Sequence, residues 1–258
     1  MVGSRKTGTS GVRSVLRAVA LLRAFSNAKP HLSLAELAAA AKLDKGTTRR
    51  LLLTLLEAGL VNQSVVDQRY SLSLAVIEFG AAVPESVDLR TAARPVLAQL
   101  ARDIRSTVFL SVYRNRSALC LERMHDGRSI EIHWWPVGGV LPLNCGGAPK
   151  LLLAYQSEQE IQSVLRGDMV RMTAKSIVRP HLLYRRLKTI RKQGWEYAVD
   201  DVYTGLAALA VPVLDGSGAL VAAISAGGVT PQMQASSGAP IHLDLFRAAA
   251  RKIELAIR

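Results

Sequence analysis

Residues 33–74 constrain the fold of this chain more than any other segment, because signals for helix starts and stops follow one another there at short intervals. Ser33 and Glu36 have the spacing of a capping box, which predicts that a helix begins at Ser33. Asp44 is a good N-cap for a second helix, and Gly59 suits the left-handed position just past that helix. The segment therefore predicts two consecutive helices joined by a short turn.

A strand pair follows the two helices. Residues 70–74 alternate apolar with polar side chains, as a half-buried strand does. The order of helix, turn, helix and two short strands around a polar turn predicts a winged helix-turn-helix over residues 12–74. In a helix-turn-helix the second helix enters the major groove with its N-terminal residues toward the base edges.

The start of the second predicted helix is unusually rich in hydrogen-bond donors. The alternative interpretation, an ordinary helical hairpin in a core, does not require such a cluster. Residues 1–70 hold 11 Lys/Arg against 4 Asp/Glu, whereas the remainder holds 22 against 16, so positive charge is concentrated in the first part. Such an excess is typical of proteins that bind phosphate. We expect DNA contacts from Ser33, Lys45, Thr47, Thr48, Arg49, Arg50 and Arg69, although Thr48 also lies on the apolar stripe of its helix.

Composition narrows the class of protein. The 258 residues are 49% hydrophobic, enough for real cores, but no apolar run of membrane-spanning length occurs. Residues 1–11 are basic without an apolar stretch, which predicts a disordered tail rather than a secretory signal. The two cysteines predict a reducing, cytoplasmic location without disulfides. Five scattered histidines and no Cys-x-x-Cys give no support for a metal or other cofactor.

The second part of the chain alternates strands and helices. Helices are predicted at 75–83, 88–104, 147–155, 180–193 and 242–257. Strands are predicted at 107–111, 118–123, 129–135, 196–200, 207–214 and 219–226. The last two strands are joined by Asp-Gly-Ser-Gly, a hairpin turn. This order predicts an α+β fold.

These residues resemble the IclR family of bacterial transcriptional regulators. SVLRAVALLRAF (14–25) is similar to the family's first helix, and the helix-turn-helix and the wing strand RYSLSL correspond closely. The resemblance continues through DLRTAARPVLAQLA (88–101), LPLNCGGAPKLLLAY (141–155) and the segment 194–225. It covers nearly the whole chain, from about residue 12 to the end.

The resemblance implies an architecture and partners. A linker helix and connection over 75–87 would join the DNA-binding domain to a GAF-like effector domain, residues 88–258, with a central antiparallel sheet. The protein would act as a homodimer or tetramer on a roughly palindromic operator of double-stranded DNA. A small organic effector, by our interpretation a carboxylate, would control operator affinity, and no membrane is involved.

The resemblance also locates the effector. Family members hold effectors against the equivalents of Gly147 and Ala148, and amides at a helix N-terminus attract carboxylates. Pro149 departs from the family's usual glycine, which alters the amide donors. The family's acidic residue corresponds to Asp200 or Asp201, and the sequence leaves both open. By position the remaining lining would be Ile130, His133, Leu141, Leu143, Cys145, Ala208 and Ser225, with Trp134 or Trp135 as a wall.

Two other functions are possible from the sequence. An architectural DNA-binding protein would need the basic first part but no second domain. A cysteine-dependent hydrolase would use Cys145 beside its glycine turn, but nucleophilic catalysis needs a base within hydrogen-bond reach and no histidine lies in a recognisable partner motif. We therefore expect a regulator, without catalytic residues.

Overall fold

The computed structural model describes residues 11–26, 29–81, 89–127 and 135–257. The chain divides into two compact units, residues 1–84 and 85–258. The predicted tail (apart from residue 11), the end of the predicted linker helix and nearly all of the predicted strand 129–135 lie outside the described residues.

The first unit has the predicted order of elements. Its described elements are α1 (Arg13–Leu22), α2 (Leu34–Ala41), α3 (Lys45–Glu57), β1 (Val61–Gln63), β2 (Tyr70–Leu72) and α4 (Ala75–Ala81). β1 and β2 pair antiparallel, with Val61 opposite Leu72. Fully buried leucines from α1, α2 and α3, namely Leu21, Leu37 and Leu52, form the centre of its core.

The helix boundaries of the first unit follow from capping. The Ser33 hydroxyl accepts a hydrogen bond from the Glu36 amide, and the Glu36 carboxylate accepts one from the Ser33 amide at 2.8 Å. Asp44 accepts from the Thr47 amide at 2.8 Å and thereby caps α3. Gly59 has a φ of +70°, the left-handed conformation expected just past a helix end. The predicted caps are confirmed.

The second unit is built around one antiparallel sheet of six strands in the order β5-β4-β3-β8-β7-β6. The strands are β3 (Thr107–Arg114), β4 (Ser117–Met124), β5 (Val140–Leu141), β6 (Glu196–Val199), β7 (Leu206–Leu214) and β8 (Leu220–Val229). The helices are α5 (Leu89–Ile104), α6 (Gly147–Ala154), α7 (Glu158–Leu165), α8 (Pro180–Gln193), α9 (Thr230–Met233) and α10 (Leu243–Ala256). The α+β prediction with a central antiparallel sheet is confirmed.

Helices cover both faces of this sheet because alternate strand residues point to opposite sides. On one face Leu110 and Ile224 pack with Leu97 of α5 and Phe246 of α10. On the other face Phe109, Ala210 and Ala223 pack with leucines of α6 and α8. No helix among the described residues is long and apolar enough to cross a bilayer.

Two described helices, α7 and the short α9, were not predicted. α7 begins after Ser157, whose hydroxyl accepts a hydrogen bond from the Glu160 amide at 3.2 Å. Ser157 and Glu160 have the same S-x-x-E spacing that identified α2, so the sequence contained the signal.

Candidate DNA-binding surface and effector pocket

The N-terminal end of α3 presents cations to solvent. The side chains of Lys45, Arg49 and Arg50 are exposed, and none of them forms an ion pair with a residue in the described ranges. Thr47 is partly exposed, and its amide is bound by the Asp44 carboxylate, which lowers the pKa of that carboxyl. Unpaired guanidinium groups near the start of an exposed helix can bind base edges or phosphates.

Three other predicted DNA contacts are engaged within the protein. Thr48 is fully buried and its hydroxyl donates to the Asp44 carbonyl at 2.8 Å, so its assignment to the DNA-binding surface is corrected. The Ser33 hydroxyl is occupied by the cap of α2. Arg69 donates to the Glu36 carboxylate at 3.3 Å and to the His31 carbonyl at 3.2 Å. Arg69 therefore stabilises the hairpin against α2 and is not a free cation.

The N-terminus of α6 differs from that of α3 because no side chain caps it. Gly146 is the N-cap, with a φ of +85° that strongly favours glycine. The amides of Gly147 and Ala148 find no hydrogen-bond acceptor among the described residues. Pro149 has no amide hydrogen. Two buried donors at the positive end of a helix dipole are suited to bind an anion.

Two small neighbouring cavities adjoin this helix end, and the space in and around them, open solvent included, amounts to about 260 and 290 Å³. The smaller is apolar apart from one hydroxyl, and its wall includes Phe109, Trp135, Leu141, Gly147, Ala148 and Ser225. The larger is bounded by Asp201, Val202, Tyr203 and Leu206. Gly146, Ala208 and Gly227 belong to both walls. Of the predicted lining, the structure thus brings together Leu141, Gly147, Ala148, Asp201, Ala208 and Ser225.

Gly147 sits against the sheet. A Cβ at this position would lie 3.0 Å from the Ala208 carbonyl oxygen, which is backbone and cannot easily move. The absence of a side chain therefore lets α6 approach β7 closely. Any larger residue at Gly147 would shift the helix as well as fill the pocket.

A buried ionic chain supports the floor of the site. Lys150 lies 2.5 Å from the Asp201 carboxylate and 2.8 Å from that of Glu196, and Arg186 binds Glu196 at 2.7 Å. Burial by itself would lower the pKa of Lys150, but the carboxylates of Glu196 and Asp201 outweigh it and raise that pKa. The four charges balance, which allows them to be buried together.

The two aspartates have different roles. Asp201 is buried, and its second carboxylate oxygen accepts from the Gly146 amide at 2.8 Å, which fixes the start of α6 beside the pocket. Asp200 has a φ of +58° and its carboxylate accepts from the Gly205 amide at 2.6 Å within a turn. Asp201 is therefore the residue that faces the pocket, and the assignment of Asp200 to the lining is corrected.

Two further lining residues lie away from both cavities. Cys145 is fully buried and its thiol donates to the Val170 carbonyl at 3.3 Å, on the far side of the loop. Burial raises the pKa of this thiol. Leu143 is packed in the core between the sheet and α6. Ile130, His133 and Trp134 lie outside the described residues, so nothing is added for them.

Sequence reasoning missed the aromatic wall formed by Phe109 together with Trp135. Their ring centroids are 5.5 Å apart, and the Trp135 indole donates to the Gly139 carbonyl at 3.1 Å. The sequence left open whether Trp134 or Trp135 forms the wall. Phe109 gave no local signal, because it reaches the pocket only through the pairing of β3 with β8, which places it opposite Ser225.

A helix-turn-helix unit with exposed cations, followed by a sheet domain with a cavity at an uncapped helix N-terminus, is the arrangement expected of a ligand-responsive DNA-binding regulator. Comparison with family models agrees: residues 14–64 match the IclR helix-turn-helix domain, and residues 81–255 match the bacterial transcriptional regulator IclR C-terminal model. The chain belongs to the IclR family of bacterial transcriptional regulators.

Individual relatives are distant but similar over most of their length. The chain is 27% identical to the Pca regulon regulatory protein of Pseudomonas putida, over 82% of this chain and 72% of that protein. It is 28% identical to the transcriptional repressor IclR of Escherichia coli, over 85% of this chain and 81% of that protein. Among solved structures, an IclR homolog from Microbacterium hydrocarbonoxydans complexed with 4-hydroxybenzoate has a TM-score of 0.79 at 22% identity, covering 95% of this chain and 99% of that one. An IclR regulator from Alicyclobacillus acidocaldarius has a TM-score of 0.82 at 24% identity, covering 96% and 99%.

Proposed function

We propose that this regulator changes its operator affinity when a small organic acid, preferably one with a single aromatic ring, binds at the N-terminus of α6. The observation that carries the proposal is the pair of buried, unpaired amides at Gly147 and Ala148, which open on a largely apolar cavity. A carboxylate would accept from these two donors and be stabilised by the helix dipole.

The rest of the effector would contact the aromatic wall. Phe109 and Trp135 can pack against a planar ring, since offset and tilted aromatic pairs are favourable. Ser225 supplies one hydroxyl for a polar substituent. The 4-hydroxybenzoate bound by the Microbacterium homolog is an acid with a single aromatic ring, and it is therefore the first probe.

The regulator would bind a roughly palindromic operator as a homodimer or tetramer in the cytoplasm. Lys45, Arg49 and Arg50 would enter the major groove, with Thr47 beside them. An architectural role would leave the pocket unexplained. Catalysis by Cys145 finds no support, because a buried thiol with a raised pKa is a weak nucleophile.

Matched probes test the effector class. Calorimetry with 4-hydroxybenzoate and with its neutral amide separates the carboxylate from the ring, because the two differ in charge but hardly in shape. We expect binding of the acid and none of the amide, together with a change in operator affinity on adding the acid. Equal binding of both probes would contradict the role of the amides of α6. Binding of aliphatic but not aromatic acids would contradict the role of the aromatic wall and leave the role of the amides intact.

A further inference from the structure

The turn between the wing strands is closed by hydrogen bonds. We call residues 64–69 the wing tip. The Ser64 amide donates to the Arg69 carbonyl at 2.9 Å, and the Gln68 amide donates to the Ser64 carbonyl at 3.0 Å. The Gln68 side chain donates to the Val65 carbonyl at 3.2 Å. These bonds define the backbone from which the side chains of the turn project.

Two of these side chains are apolar and almost fully exposed. Val65 is 88% and Val66 is 91% exposed, the highest fractions of any large hydrophobic residue in the described part of the chain. The sequence had suggested only a polar turn. Two valines cover far less area than the roughly 1,000 Å² that a stable protein interface requires, so a second protein is a poor fit.

The wing tip has no free cation. Arg69 is the single Lys or Arg between residues 61 and 72, and it is bound by Glu36, by the His31 carbonyl and, at 3.9 Å, by Asp67. These bonds tie the wing to the beginning of α2, which in helix-turn-helix proteins crosses the DNA backbone. On bound DNA, a wing tip held in this way would lie beside the backbone, with valines rather than cations at its end.

We propose that Val65 and Val66 enter the minor groove next to the major-groove site of α3 and select A·T over G·C pairs there. This inference rests on the proposed operator binding. The minor groove is narrow, about 6 Å wide, and a contact made by only two small side chains fits into it. Only G·C pairs expose an amino group on its floor, and valines would bury that donor without offering an acceptor. Apolar side chains are used in this groove by other proteins.

The contact can be mapped with the full-length protein. An operator is first obtained by selecting duplexes from a random pool with the wild-type chain. Both natural cysteines, Cys120 and Cys145, are buried, so the Val66→Cys variant carries a selectively reactive thiol for an iron chelate that cleaves nearby DNA. Cleavage identifies the base pairs under the wing tip. Those pairs are then made A·T, G·C or inosine·C, the last of which keeps the major-groove edge of G·C but lacks the amino group.

We expect wild-type affinity to be about three- to tenfold higher for A·T and inosine·C than for G·C. The Val65→Ser/Val66→Ser variant should lose this preference and bind the A·T operator about three- to tenfold more weakly, with an unchanged salt dependence. Val140→Ser, which alters a valine 61% exposed in the second unit, is the matched control and should have no effect.

Two results would overturn the proposal while leaving operator binding intact. One is unchanged affinity and preference in the double variant. The other is that the wild-type chain binds the G·C and the inosine·C operators equally weakly compared with the A·T operator, which would mean that the valines do not sense the amino group. If the wild-type chain enriches no duplex at all, the proposed operator binding fails as well.

Discussion

Two helix N-termini in this chain use the same backbone geometry for different purposes. The start of α3 is exposed and is capped by the Asp44 carboxylate, so its amides are partly satisfied. In the operator complex proposed above, recognition would therefore pass to the side chains of Lys45, Arg49 and Arg50. The start of α6 is buried and has no side-chain cap, so its own amides remain available.

The difference shows how residue choice decides what a helix end can bind. An aspartate at the N-cap places a negative charge where an anion would otherwise sit, which directs the binding to donors farther along the helix. Glycine at the N-cap leaves room, and burial strengthens each remaining hydrogen bond. In α6 the nearest carboxylate, Asp201, is neutralised by Lys150 and occupies only the Gly146 amide.

Removing the ammonium group beneath α6 should produce the largest effect. Lys150→Met would leave the Asp201 carboxylate buried with one amide as its partner and should lower the free energy of unfolding of the second unit by about 3–5 kcal/mol. Denaturant titrations followed by tryptophan fluorescence report on this unit alone, because all three tryptophans, 134, 135 and 195, lie in it. The matched control is Lys188→Met, which removes an exposed lysine paired with Glu158 and should have no measurable effect.

The same ion pairs give stability a dependence on pH. Because the folded state raises the pKa of Lys150, its contribution is fully present below the ordinary lysine value of about 10.4 and is lost as the pH rises through the raised value. Lys150→Met should therefore flatten the alkaline part of the stability profile. An unchanged profile would mean that Lys150 is not charged in the folded state.

The proposed role of the exposed end of α3 can be tested by replacing its two arginines. Arg49→Ala and Arg50→Ala should each weaken operator binding at least about tenfold, since a bidentate contact to guanine is worth about 1–3 kcal/mol. Effector binding should remain intact. Arg251→Ala, which removes an exposed arginine of α10, is the control. Wild-type affinity in both variants would place the recognition surface elsewhere on the first unit.

The buried end of α6 is tested by filling its pocket. Ala208 borders both cavities, so Ala208→Leu should lower effector affinity about tenfold or more while operator affinity without effector stays within a few fold. Ala208 is a better site than Gly147, where a side chain would displace the helix. Ala219→Leu, in the exposed turn between β7 and β8, provides the control. Normal effector affinity in Ala208→Leu would show that the effector binds outside this pocket.

The smallest effect is expected for the wing arginine. Because Arg69 is bound to Glu36 and to the His31 carbonyl, Arg69→Gln should change operator affinity by less than about threefold and leave the salt dependence unaltered. Titrations at several salt concentrations measure this. If Arg69 instead contacted a phosphate, the variant would lower the slope of log affinity against log salt by about 0.9.

The parts of the fold that depend on local spacing could be predicted from the sequence. The cap residues Ser33 and Asp44 fix the starts of α2 and α3 through bonds to residues three positions away. Pro180 and Gly194 define α8 in the same local way, since proline favours a first turn and glycine a left-handed end. Such signals require no knowledge of tertiary structure.

The effector pocket, unlike the start of α3, could be predicted only where the resemblance supplied positions. Spacing cannot show that Lys150 pairs with Glu196 and Asp201, because those contacts join segments about fifty residues apart. The sequence allowed two interpretations of Thr48, as a hydrogen-bond donor to DNA and as a member of the apolar stripe. Its complete burial shows that the second is correct. The same limit applies to Cys145, whose direction depends on where the loop containing Val170 lies.

The order of the strands also has a consequence for how the protein is made. β3 pairs with β8 in the middle of the sheet, so the two halves of the second unit are joined by a contact such as Phe109 with Ser225, more than a hundred residues apart. Contacts of this kind form late and slowly. On a ribosome adding roughly 5–20 residues per second, the helix-turn-helix can fold before the last strand exists. The first unit is therefore synthesised complete, and can begin to fold, well before the strand that completes the sheet of the second unit.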